Sequence, residues 1–259
     1  MHTVTLAIRI YSASQIRYVK DVLKSKLEGL RCSLEKVEAT PAGRIKIAFS
    51  GEDEDVALRY LAKEFAVCPE SLENLEKNAV VKGRVSGLNP NVDNLYVDIG
   101  VFQPKEFQAE IPIQQLQVQM ADGRKIALKK IVELFGLCKN LPLTVKISDL
   151  AADNSVKAML AEEQRAIFGI WIRSLLDRLL VLGATEHEVR DALKRTGFTR
   201  DIVDVEQLSL LEHAVVCKLG TDAVGLIPKV GRNLRNASLI VFSPRKVVEF
   251  FGESFLDAL

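Results

Sequence analysis

The stretch from Val80 to Ile113, VVKGRVSGLNPNVDNLYVDIGVFQPKEFQAEIPI, constrains the fold more than any other part of this chain. It opens on a basic strand with a small residue at its centre, Lys82-Gly83-Arg84-Val85, passes a turn rich in Gly, Asn, Pro and Asp, and reaches an alternating strand from Leu95 to Ile99 that stops at Gly100. Alternation of period two between turn signals marks half-buried strands. With a further strand at Ile111–Ile113, the pattern predicts the opening of a small closed β-barrel. A helical or loop segment at Gln114–Met120 and a helix from Lys125 to Gly136 follow, before a closing strand at Leu141–Ile147. The inserted helix departs from the simplest five-stranded barrel.

A chain of 259 residues exceeds one small module and points to two or three domains. With 48% apolar and 27% charged residues, it belongs to neither the disordered nor the collagen-like or disulfide-scaffold classes. Residues 1–70 read as β-α-β-β-α: a strand at 3–10, a helix capped by Ser14, strands at 32–39 and 44–49, and a helix from Asp53 to Phe65. That order predicts a small α+β sandwich of ferredoxin-like order. Asp53 and Asp55 read as charges that complement the helix dipole. A charged link at 70–78 leads to the barrel, expected over 77–148. The remainder, 152–259, is expected to hold one long helix over 156–182, a helix over 186–196 opened by a Thr185/Glu188 capping box, and then a small β unit. A plain helical hairpin is preferred there over a DNA-reading helix-turn-helix, because residues 149–212 carry eight basic and twelve acidic side chains. Residues 213–219 and 223–229 around Gly220-Thr221-Asp222 read as a β-hairpin, followed by a strand at 237–242 and a helix at 245–251. The expected class is therefore a multidomain α+β protein.

The net charge of +1 conceals two basic segments: residues 77–148 hold ten basic and six acidic residues, and 213–250 hold six and two. Local excess of this kind builds phosphate-binding faces on a nearly neutral protein. In the barrel, Tyr96, Phe102 and Phe107 can offer π-faces to bases while Lys82, Arg84 and Lys105 meet phosphates. Near the C-terminus Lys218, Lys229, Arg232 and Arg235 either grip a phosphate backbone or form a solvated face; both readings stay open. Catalytic patterns are weak. His213 and Cys217 read as a structural imidazole and a buried thiol rather than a nucleophile-base pair. No Gly-rich phosphate loop is present, and three histidines do not suggest a metal centre, so neither cofactor nor metal is expected. Four widely spaced cysteines, with no Cys-x-x-Cys pair, and no apolar leader fit a reduced cytoplasm. No stretch approaches the roughly 20 apolar residues of a membrane span.

Lys82-Gly83-Arg84-Val85 and Tyr96-Val97-Asp98-Ile99-Gly100 resemble the S1-type RNA-binding fold, a variety of oligonucleotide-binding barrel, over about 77–148. The resemblance implies that Tyr96 holds the place of a base-stacking aromatic, and that Lys82 and Arg84 lie on the strand bordering the nucleic acid. Ala109-Glu110-Ile111-Pro112 departs from the usual Gly-hydrophobic-hydrophobic-His run. The stretch from Leu210 to Gly231, with Leu182-Gly-Ala-Thr-Glu-His-Glu-Val before it, is similar to an archaeal family of S1-like proteins, a resemblance that implies no particular activity. The expected function is non-catalytic binding of single-stranded RNA in translation, transcription or RNA processing, with protein partners in a ribonucleoprotein or ribosomal complex and no membrane. The alternative is a protein-protein adaptor or assembly factor.

Overall fold

Alternating apolar residues build the first sheet from β1 (His2–Arg9), β2 (Cys32–Ala39) and β3 (Arg44–Gly51), with β3 central and antiparallel to both neighbours. In this computed structural model, which describes residues 1–88, 93–150 and 155–255, helices α1 (Gln15–Lys26) and α2 (Glu54–Phe65) cover one face of that sheet. Val19 and Leu23 from α1 and Ala57 and Leu61 from α2 meet Leu6, Ile8, Ile45 and Ile47 in a closed core. The order β-α-β-β-α is the expected one. Ser14, however, makes no capping bond, because its own backbone is already helical. The Gln15 side chain instead accepts from the Tyr11 and Ser12 amides at 2.8 and 3.3 Å.

After β4 (Glu70–Ser71), the chain forms β5 (Val80–Leu88), β6 (Asn94–Gln103), β7 (Phe107–Pro112), α3 (Ile113–Met120), α4 (Leu128–Phe135), β8 (Pro142–Leu150) and β9 (Val156–Leu160). β5 pairs with β6, β6 with β7, β7 with β9, β9 with β8, and β8 returns to β5. These five strands form a closed barrel. Gly83 lets β5 and β6 approach closely: a Cβ there would lie 2.6 Å from Val97 Cγ1 and 2.8 Å from the Asp98 carbonyl oxygen.

The barrel corrects one expectation from the sequence. Residues 156–182 are not one helix but β9, then α5 (Glu162–Ser174), then β10 (Arg178–Leu182). Val156, Ala158 and Leu160 point into the barrel and Lys157 points out, so a strand alternation lay inside a run apolar enough to read as a buried helix. The barrel therefore closes at Leu160, beyond the expected limit at 148, with α3 and α4 between its third and fourth strands. The expected Asn-Pro turn at 89–92 and most of the loop at 151–155 lie outside the described residues.

The C-terminal region departs further. A strand, β10, separates α5 from α6 (Glu186–Thr196), so there is no helical hairpin. The Thr185/Glu188 capping box is present as expected, with the Thr185 Oγ1 accepting from the Glu188 amide at 3.2 Å. Next come β11 (Ile202–Ser209), β12 (Glu212–Cys217), α7 (Ala223–Asn233), β13 (Ser238–Phe242) and α8 (Pro244–Phe251). β12 pairs with β11, and the expected second hairpin strand, 223–229, is the body of α7. Asp222 caps that helix by accepting from the Val224 amide at 2.9 Å, and Ala223, Leu226 and Val230 are buried at helical spacing. The sheet runs β11-β12-β10-β13, all antiparallel, so residues 178–242 follow the order β-α-β-β-α-β.

The units share their cores. One face of the C-terminal sheet (Leu179, Val181, Val215, Cys217) packs on α6 and α7. The other face (Leu180, Leu182, Ala214, Phe242) joins the barrel core through Phe168 and Trp171 of α5 and Val247 and Phe251 of α8. Leu210 and Leu211, between β11 and β12, enter the N-terminal core. Among the described residues no helix is long and apolar enough to cross a membrane.

Candidate nucleic-acid interface

Alternation along β5 sends Lys82, Arg84 and Ser86 to the outer surface of the barrel, yet the three side chains meet different surroundings. Lys82 is exposed. Arg84 is only 3% exposed, because the free face of the N-terminal sheet and the turn between β11 and β12 close over it. Its Nη1 lies 2.8 Å from Glu212 Oε1, and its Nη2 donates to Glu212 Oε2 at 3.2 Å and to the Ala7 carbonyl at 3.1 Å. The Tyr11 hydroxyl donates to the same carboxylate at 2.8 Å. Burial, reinforced by Glu212, raises the Tyr11 phenol above its usual range, so it stays a donor. Arg84 therefore joins the three units and is not free to meet a phosphate. This corrects its expected role.

A second guanidinium does the same one strand away. Arg44 of β3 reaches Asp98 of β6 at 2.7 Å and donates to the Cys68 sulfur at 3.2 Å. Burial pushes the Cys68 thiol up to about 11. The middle of the β5–β6 outer face is thus covered by the N-terminal sheet. Gly183 completes the junction: its left-handed φ of 104° and absent Cβ admit the Tyr11 ring, and its carbonyl accepts from Gln15 Nε2 at 2.8 Å.

Beyond this cover the second and third barrel strands remain accessible. Tyr96 is half-buried on β6, opposite Glu110 of β7. Around it Asn94 Nδ2 donates to Glu110 at 3.2 Å and the Ser86 hydroxyl to Gln108 at 3.0 Å. The face is an aromatic ring bordered by amide, hydroxyl and carboxylate groups, with less positive charge than the sequence suggested. Phe102 is half-buried at the end of β6. Phe107, half-buried, packs against the barrel core, and exposed Lys105 sits 5.2 Å above its ring.

The four C-terminal cations are all exposed, but on different elements from those expected. Lys218 follows β12, Lys229 and Arg232 lie on α7, and Arg235 lies in the turn after it. Lys229 stands 5.2 Å over the Phe198 ring. Lys194, Arg195 and Arg200, near Phe198 in the chain, are also exposed, and residue-by-residue reading of the sequence missed them. For Lys194 and Arg195 the signal was helical phase: on α6 they fall opposite buried Val189, Ala192 and Leu193, whereas Arg200 lies in the turn after that helix.

Between α1, the ends of β5 and β8, α5 and the β11–β12 turn lies a cleft of about 560 Å³. His213 lines it, fully buried, and neither ring nitrogen completes a hydrogen bond although the Ala184 backbone and Glu186 lie near. Burial lowers its pKa, which keeps the imidazole neutral. Cys217, four residues on along β12, is buried, and burial with Asp177 nearby pushes its thiol up to about 12.

Residues 75–172 match the model described as the DUF2110 central domain, and residues 176–242 match that of the DUF2110 C-terminal domain. No curated protein matches the chain. Among solved structures, a crystal structure of a candidate exosome complex RNA-binding protein aligns at 10% identity and a TM-score of 0.26, covering 71% of this chain and 97% of that one. At that score the likeness bears on neither fold nor function.

Proposed function

From a chain that carries the central and C-terminal DUF2110 family domains, we propose a non-catalytic protein that binds single-stranded RNA, with an oligonucleotide-binding barrel of S1-like character at its centre. One observation carries the reading: the closed five-stranded barrel leaves its second and third strands accessible, with Tyr96 ringed by Asn94, Ser86, Gln108 and Glu110. These strands are the usual binding face of such barrels. Tyr96 stacks on a base, and its polar neighbours meet base edges. The exposed cations of α7 and its flanks, Lys218, Lys229, Arg232 and Arg235, supply phosphate contacts away from the barrel. A place in translation, transcription or RNA processing follows, with target choice set by the flanking units.

Fluorescence anisotropy with a labelled ten-nucleotide RNA tests this. Binding is expected to weaken steeply with salt, and Lys229→Glu with Arg232→Glu to flatten that dependence. Tyr96→Ala is expected to remove about 1–3 kcal/mol, the usual contribution of one stacked base. Binding at low salt no better than that of a neutral control protein rules the function out.

A further inference from the structure

We propose that the cleft between the three units is a nucleotide pocket that takes one base of the bound RNA, with the adjoining phosphate on Lys82. This rests on the RNA-binding reading and adds a second contact site, separated from Tyr96 along β5 and β6 by the covered Arg84 and Asp98. Its volume of about 560 Å³ falls within the roughly 300–1,000 Å³ of small-molecule sites.

The lining has the chemistry of a base site. His213, buried at the inner end of the cleft, offers a neutral imidazole with one donor and one acceptor, and neither nitrogen completes a well-formed hydrogen bond, the Ala184 backbone lying nearest. Protein interiors rarely leave such a group unsatisfied, and a base edge offers the complementary pair. Gln164 of α5 uses its carbonyl oxygen to accept from the Thr144 amide at 3.0 Å, which turns its NH₂ group towards other acceptors. Ile167, 39% exposed on the next turn of α5, gives the apolar surface on which a base face can rest. The charge lies at the mouth. Lys26 is held by Glu64 at 2.6 Å, whereas Lys82, on the same rim, has no ion-pair partner among the described residues. Glu64 and Glu186 also line the cleft, and Lys82, near Glu64 but in no close ion pair with it, is the rim cation that a phosphate of the chain would meet.

Lys82→Glu and Ile167→Glu alter exposed positions and preserve the buried junction. Each is expected to weaken binding of a ten-nucleotide oligouridine by about tenfold or more, a loss of about one stacked or paired contact. With 4-thiouridine in the oligonucleotide, photo-crosslinks are expected in the peptides that hold Ile167 and His213 as well as at Tyr96. RNA binding with crosslinks confined to the Tyr96 strand, and with both variants at parent affinity, overturns the pocket and leaves the RNA-binding function intact. No RNA binding at low salt overturns both.

Discussion

Arg84 is a cation removed from water, and its setting decides what it does. Desolvating a guanidinium and a carboxylate costs several kcal/mol per ion unless good geometry and further hydrogen bonds compensate. Here Glu212 supplies two oxygens, and the Ala7 and Asn140 carbonyls and the Ser209 hydroxyl accept from the terminal nitrogens, while Nε has no hydrogen-bond partner among the described residues. Removing one partner leaves the other buried and unpaired. Arg84→Met is therefore expected to destabilise the fold by about 3–5 kcal/mol, and adding Glu212→Gln to recover part of that loss. Urea unfolding of the parent, both single variants and the double variant measures the coupling; a cost below about 1 kcal/mol for Arg84→Met would contradict the junction described here. Alternation in β5 places Lys82 and Arg84 on the same side, and that much was legible. Their divergence was not, because Glu212 lies 128 residues away from Arg84.

At the scale of elements, local pattern succeeded where one period dominated. The first two strands of the barrel, the β-α-β-β-α order, and the Thr185/Glu188 box all carry their signal within a few residues. Pattern failed where two periods competed. Val156–Leu160 is an alternating strand joined to an apolar helix, and 223–233 is a Gly- and Pro-containing segment whose buried positions are nonetheless helical. In each case the partner strand decided: β9 is held by β7 and β8, and β12 takes β11 in place of α7. Gly83 belongs at this scale too, since a side chain there meets the Asp98 backbone carbonyl as well as the branched side chain of Val97. Gly83→Val is expected to separate β5 from β6 and destabilise the barrel by at least about 1–3 kcal/mol, the usual cost of overpacking. Thermal unfolding followed by circular dichroism reads this directly, and an unchanged midpoint would show that the strands do not approach so closely.

For the whole molecule, the shared cores matter more than the count of units. The barrel core extends into the C-terminal sheet through Leu180, Leu182, Ala214 and Phe242, and the N-terminal core takes in Leu210 and Leu211. Units that bury one another's apolar faces unfold together. Scanning calorimetry is expected to show one transition with equal calorimetric and van't Hoff enthalpies; separated transitions for the barrel and the C-terminal unit would show that these contacts are weak.

The amino-acid sequence alone determined what depends on neighbours in the chain: the opening barrel strands, the N-terminal α+β order, the capped helix at Thr185, the two basic segments and the prominence of Tyr96. Only the tertiary structure decided which of those charges face water. It placed Arg84 against Glu212, closed the barrel with Val156–Leu160, moved the C-terminal cations onto α7 and its flanks, and formed the cleft around His213. The physical reason is that alternation sets which side of a strand a residue occupies, whereas desolvation depends on what packs over that side, and those contacts join residues far apart in the chain.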